Sequence, residues 1–138
     1  MYERILAPVD LAHPDRIEKA LKSAADLASH YGAELVLVGV TGTEPSSVAH
    51  NPEEFASKLA AFADAASARL GHAMRAEVVR VHDLTVNLDG AIARKASEID
   101  ADLIVMASHK PGMGEYIFGS NAGHIAQHAP ISVFVVRD

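Results

Sequence analysis

The 138-residue chain has no cysteine and no tryptophan. Without thiols it has no disulfide, no zinc–thiolate centre and no cysteine nucleophile, a composition that fits a reducing compartment. Aromatic residues make up only 5%, so the core must be built from aliphatic and small side chains in close helix–sheet packing. No apolar run approaches the roughly 20 residues that a membrane-spanning helix needs. The opening residues Met1 to Pro8 lack the long apolar stretch and small-residue cleavage site of a secretory signal. A cytoplasmic protein with no membrane association is expected. Basic charge is also scarce: 12 Lys and Arg stand against 18 Asp and Glu, a formal net charge of −6. Phosphate backbones attract basic surfaces, so nucleic acid is not an expected partner.

What the chain does have is an alternation of short apolar runs and helical patterns, with no repeat, linker or low-complexity tract, which reads as one domain over 1–138. Tyr2 to Val9 predicts a first strand, near-continuously apolar as where helices cover both faces. Asp15 and Glu18 stand at capping-box spacing and predict a helix start. The stripe Ile17, Ala20, Leu21, Ala24, Leu27, Ala28 and Tyr31 carries that helix to Gly32. Glu34 to Val40 predicts the second strand, and Thr41 to His50 an irregular, exposed loop. Asn51-Pro52-Glu53-Glu54 predicts the next helix start, with Phe55, Leu59, Phe62, Ala66 and Leu70 inward and Gly71 as the stop. Third, fourth and fifth strands are expected at Glu77–Val81, Asp102–Ala107 and Ile131–Val136. A helix is expected over Ala91–Ile99, and another opened by Ser120 and ended before Pro130. This order predicts an α/β fold, an open five-stranded parallel sheet with helices on both faces. Such sheets bind ligands beyond the carboxyl ends of their strands. That directs attention to Pro8-Val9-Asp10, Val40-Thr41-Gly42 and the stretch from Ala107 to Ser120.

Gly119-Ser120-Asn121-Ala122, after a loop with Gly112 and Gly114, is suited to phosphate. Glycines allow close backbone approach, and free N–H groups at a helix start attract anions. A serine-capped flexible connection is the plainer reading. Two familiar phosphate motifs are excluded: Ser120 and Asn121 occupy the P-loop's lysine and hydroxyl positions, and the first βα turn, Val9 to His13, contains no glycine. Asp10 can hydrogen-bond a ribose hydroxyl, help hold a cation, or bond its own turn. His109 and Lys110 can face phosphates or simply be solvated. His124 and His128 are spaced for a metal but lack a third ligand nearby in sequence, and read as a surface pair. His82 and Asp83 point to opposite faces of an extended chain. No nucleophile elbow is present, so catalytic residues are not assigned.

The strand ending Pro8-Val9-Asp10, the strand Asp102 to Met106, Gly119-Ser120, and the closing Ala129-Pro130-Ile131-Ser132-Val133-Phe134-Val135-Val136 resemble the universal stress protein family. The resemblance spans essentially the whole chain and is greatest to the family's F/G-type bacterial subgroup. It implies the adenine-nucleotide alpha-hydrolase-like fold with strand order 3-2-1-4-5, and ATP or AMP as ligand, with Mg2+ as a possible companion. Ala107 and Lys110 stand where the family's nucleotide pattern has glycines. By position, Pro8, Val9, Asp10 and Val40 would surround base and ribose. Met106, Ala107 and Ser108 would line the ribose side, and Gly119, Ser120, Asn121 and Ala122 would hold phosphates. The resemblance further implies a homodimer or homotetramer through Ile131–Val136. It is compatible with at most slow ATP hydrolysis, or with a nucleotide-free interaction protein of the same fold.

Overall fold

The computed structural model describes residues 1–82, 88–108, 125–127 and 129–137. The candidates His109, Lys110, Gly119, Ser120, Asn121 and Ala122, together with Asp83, His124 and His128, lie outside the described residues. Five parallel strands form one sheet: β1 (Arg4–Val9), β2 (Glu34–Thr41), β3 (Met74–Arg80), β4 (Leu103–Ser108) and β5 (Ser132–Arg137). Their order is β3-β2-β1-β4-β5, as the family resemblance implies. Helices α1 (Glu18–Tyr31), α2 (Pro52–Leu70) and α3 (Leu88–Glu98) make the first three crossovers.

Strand periodicity divides the core in two. Ile5, Ala7 and Val9 of β1, Leu35 and Leu37 of β2, and Leu103 and Val105 of β4 pack under α1 and α2. The intervening residues Leu6, Val36, Val38, Val40, Ile104 and Met106 face the other way, against Leu88, Ile92 and Ala96 of α3 and against Ile125. Because both faces are covered, the strands read as unbroken apolar runs rather than alternating ones. Leu6, Ile92 and Ile104 have no exposed surface, and burial of each contributes about 1.5–3 kcal/mol.

Helix ends follow the chemistry of their caps. Asn51 adopts an extended backbone and its side chain accepts from the Glu54 N–H at 2.8 Å, with Pro52 in the first turn. Gly32 and Gly71 end α1 and α2 in the left-handed conformation, at φ 66° and 71°, which costs glycine nothing sterically.

Several expected boundaries move. β1 begins at Arg4, not Tyr2, and the Tyr2 ring instead meets Tyr31 edge-on at 5.2 Å. The Asp15–Glu18 capping box does not form. Asp15 falls inside a single 3₁₀ turn, Pro14–Arg16, and Ile17 takes the cap position of α1 without a side-chain bond; the tighter turn occupies the residues a capping box would need. β3 runs Met74–Arg80 rather than Glu77–Val81, because its register with β2 starts at Leu35↔Met74 and pairing outweighs the weak strand propensity of Met-Arg-Ala. α3 starts at Leu88 rather than Ala91 and ends at Glu98. β2 and β4 extend to Thr41 and Ser108, and β5 is displaced by one residue to Ser132–Arg137.

Candidate functional site

The end of the pairing between β1 and β4 is set by a missing hydrogen-bond donor. The Glu34 N–H donates to the Glu3 carbonyl at 2.9 Å on the β2 side, and the Asp102 N–H to the Arg4 carbonyl at 3.0 Å on the β4 side. Backbone groups alternate along a strand, so even-numbered residues of β1 address β4. Pro8 is one of them, and it has no N–H to offer. Accordingly, the β1–β4 register comprises only Ile5↔Leu103 and Leu6↔Ile104. Toward β2 the register continues to Val9↔Gly39, and β4 stays paired with β5 to Ser108↔Arg137. The central strands thus part beyond Leu6, at the point where strand order reverses.

Asp10 follows directly and is 5% exposed. A tight turn, in which the His13 N–H donates to the Asp10 carbonyl at 3.1 Å, carries the chain away toward α1. Oδ1 of Asp10 accepts from the Ala12 N–H at 3.0 Å, and Oδ2 lies 3.0 Å from Nδ1 of His13. A buried carboxylate is therefore held at the sheet mouth by its own turn, as aspartate chemistry permits.

The loop after β2 closes the opposite side. Oγ of Ser46 accepts from the N–H groups of Val48 and Ala49 at 3.2 and 3.3 Å, and the Ser46 N–H donates to the Ala49 carbonyl at 2.8 Å. Ala49 is buried, which departs from the exposed loop expected from composition. Nζ of Lys58 donates to the Val48 carbonyl and pairs with Glu54 at 3.2 Å. The His50 N–H donates to Glu54, and together with Lys58 it holds the Glu54 carboxyl below its ordinary pKa. The loop is thereby strapped to the first turns of α2.

Between β1, β2 and this strap lies a hollow of about 230 Å³. Val9, Val48 and Phe55 give it apolar walls, Val40 borders it from the opposite face of β2, and Asp10 and Glu44 give it two acids. Gly39 lets α2 come close enough to seat Phe55 there. No group of three His, Asp or Glu able to hold a metal ion occurs among the described residues.

Of the residues singled out in the sequence, Val9, Asp10 and Val40 meet at this hollow. Pro8 is buried in the sheet and acts through its backbone. Met106 is 0% exposed and packs in the core beside α3, so its side chain has no surface to offer a ligand. Ala107 is half-buried and Ser108 buried, at the end of β4 across the opening from β1. Sequence reasoning missed Phe55, whose place in the α2 stripe marks it as core, and the strap residues Glu44 to Val48. The only sequence signal for the strap was its position after β2.

The family model for the universal stress proteins matches residues 1–137. The chain belongs to the universal stress protein family. Universal stress protein G of Salmonella typhimurium is 27% identical to it, over 99% of this chain and 100% of that one. Among solved structures, a universal stress protein family member from Burkholderia pseudomallei is 26% identical and superposes with a TM-score of 0.70, covering 98% of this chain and 96% of that one. The universal stress protein of Archaeoglobus fulgidus in complex with dAMP superposes at 0.69 with 23% identity, covering 97% of each chain. Other universal stress proteins of this fold have been solved with cAMP (TM-score 0.68, 17% identity) and, from Arabidopsis thaliana, with AMP (0.62, 15%). In this universal stress protein, no helix among the described residues is long and apolar enough to cross a membrane.

Proposed function

We propose that the chain binds an adenine nucleotide at the carboxyl ends of β1 and β2. The observation that carries this reading is the buried Asp10 carboxylate beside a hollow with apolar walls, at the place where Pro8 parts β1 from β4. Sites that engulf a whole drug-sized ligand measure roughly 300–1,000 Å³, whereas this hollow measures about 230 Å³. That space suits a base and its sugar. Val9, Val48 and Phe55 contact the ring, and Asp10 accepts from ribose hydroxyls. Asp10 and Glu44 repel phosphate, so the phosphates project over β1 toward β4, where His109, Lys110 and Gly119 to Ala122 are assigned to them. ATP, with Mg2+ on its phosphates, and AMP are both accommodated by such an arrangement. The AMP, dAMP and cAMP complexes of the structural neighbours support adenine as the base. The role is that of a cytoplasmic regulatory binder rather than an efficient enzyme.

A nucleotide that binds only the folded chain at 100 times its dissociation constant stabilises it by about 2.7 kcal/mol. For a domain of this size the melting temperature then rises by about 10 °C. Thermal-shift titration with AMP, ATP and GTP tests the reading, with a rise for the adenine nucleotides expected. The same rise should be lost in a folded Gly119→Val variant, whose side chain obstructs approach to the backbone. No rise with either adenine nucleotide contradicts it.

A second reading is a homodimeric interaction protein without nucleotide. It draws on β5, a sheet edge that presents Phe134 and Val135 at 46% and 37% exposure. Unpaired apolar edges invite association, and pairing the strand over Ile131–Val136 with its twin across a two-fold axis closes the assembly as a dimer or within a tetramer.

A further inference from the structure

We propose that His13 is a positioning residue for this site. Its imidazole holds the Asp10 carboxylate in one orientation and so sets the preference for a ligand that carries ribose hydroxyls. The inference rests on the nucleotide reading above and extends it to a residue that does not itself line the hollow. Asp10 stands in the wall of the hollow together with Leu11 and Ala12, and His13 does not. The ring approaches Oδ2 from outside, at 3.0 Å through Nδ1. Among the described residues its Nδ1 is the side-chain partner of Asp10 Oδ2.

The main chain that carries the ring is held on both sides. The His13 N–H is bonded to the Asp10 carbonyl, and the His13 carbonyl accepts from the Arg16 N–H, both at 3.1 Å. Pro14 follows at the start of the 3₁₀ turn, where its ring restricts φ. A carboxylate only accepts, so the nitrogen facing it, Nδ1, carries the proton. Each carboxylate oxygen offers about two acceptor positions. Ala12 occupies one position on Oδ1 and His13 one on Oδ2. With both oxygens held, the remaining pair can take two neighbouring hydroxyls. Without His13, Oδ2 is free to turn toward water, and the pair of acceptors is no longer preset.

The test compares AMP with 2′,3′-dideoxy-AMP on wild-type, His13→Ala and His13→Asn chains, by calorimetry. The asparagine amide can reach the position of Nδ1 and restores the donor, whereas alanine removes it. Wild type should prefer AMP by about tenfold or more. His13→Ala should reduce that preference to within about threefold, and His13→Asn should recover it. A His13→Ala chain that keeps the full preference overturns the proposal, as does failure of His13→Asn to restore it. Equal binding of both ligands by wild type also overturns it, while leaving nucleotide binding intact. Long-range ¹⁵N–¹H NMR of the ligand-free protein provides a readout that needs no nucleotide. The His13 ring should hold its proton on Nδ1 and lose that bias in Asp10→Asn. A ring protonated mainly on Nε2 refutes the pairing directly. If the tautomer is as stated but wild type binds neither ligand, the nucleotide reading itself has failed and takes this proposal with it.

Discussion

Gly39 lies in β2 opposite Val9 on one side and Val78 on the other, beneath α2. A Cβ at this position would meet Cε1 of Phe55 at 2.8 Å, and Cζ of Phe55 and Cδ2 of Leu59 at 3.0 Å. Carbon atoms pack best at about 3.5–4.0 Å, so Gly39→Ala demands a displacement of about 0.5–1 Å from two buried side chains. Overpacking of this kind costs about 1–3 kcal/mol. Removing a glycine also restricts the unfolded chain, which returns about 0.4–1 kcal/mol. Taking the middle of each range, the net expectation is destabilisation by about 1.3 kcal/mol. At a urea m-value of about 2 kcal/mol/M, the unfolding midpoint falls by about 0.65 M. Phe55 is also a wall of the hollow, so AMP should bind more weakly to the same variant. Adding Phe55→Leu should recover part of the lost stability, because contacting residues couple. A Gly39→Ala midpoint at or above wild type would refute the close-approach argument.

Pro8→Ala should supply the missing donor toward β4 and extend the ladder past Leu6. The backbone amide that this substitution introduces should exchange slowly with deuterium, and AMP affinity should drop; fast exchange of that amide contradicts the origin of the opening. Asn51→Ala should cost about 1 kcal/mol in urea unfolding while Asn51→Asp stays close to wild type, since the carboxylate can replace the acceptor to the Glu54 N–H. For the β5 edge, sedimentation should show wild type as an even oligomer at micromolar concentration and Val135→Pro as a folded monomer, because proline removes a ladder donor. A wild-type monomer would exclude pairing through β5.

The parallel strands and their helical crossovers were legible because local signals agreed with the global pattern, whereas the strand order came from the family resemblance. Gly32 and Gly71 stop helices in the conformation that glycine favours, and Asn51 caps where its side chain and Pro52 both fit. What escaped depends on register. Which neighbour the Pro8 nitrogen faces cannot be read from Pro-Val-Asp alone; it follows from the pairing of Glu3 with Glu34 and of Arg4 with Asp102. Met106 sits next to Ala107 in a strand, so alternation turns the two to opposite faces, and Met106 goes to the core. Phe55 was legible as core but not as a wall, because that requires knowing how closely α2 approaches Gly39. At Asp15 a local rule failed outright: the capping spacing is present, but Pro14 starts a tighter turn that consumes it.

The central claim is that base and ribose lie between the ends of β1 and β2, with Asp10 on the ribose. Its most direct test is titration of ¹⁵N-labelled protein with AMP, followed by amide NMR. The account predicts that the largest shifts fall on Leu11, Ala12, Thr41, Gly42 and Val48, around the hollow, and that they vanish in a folded Asp10→Ala chain. Saturable AMP shifts that leave these amides unmoved, or that persist unchanged without the Asp10 carboxylate, would contradict it.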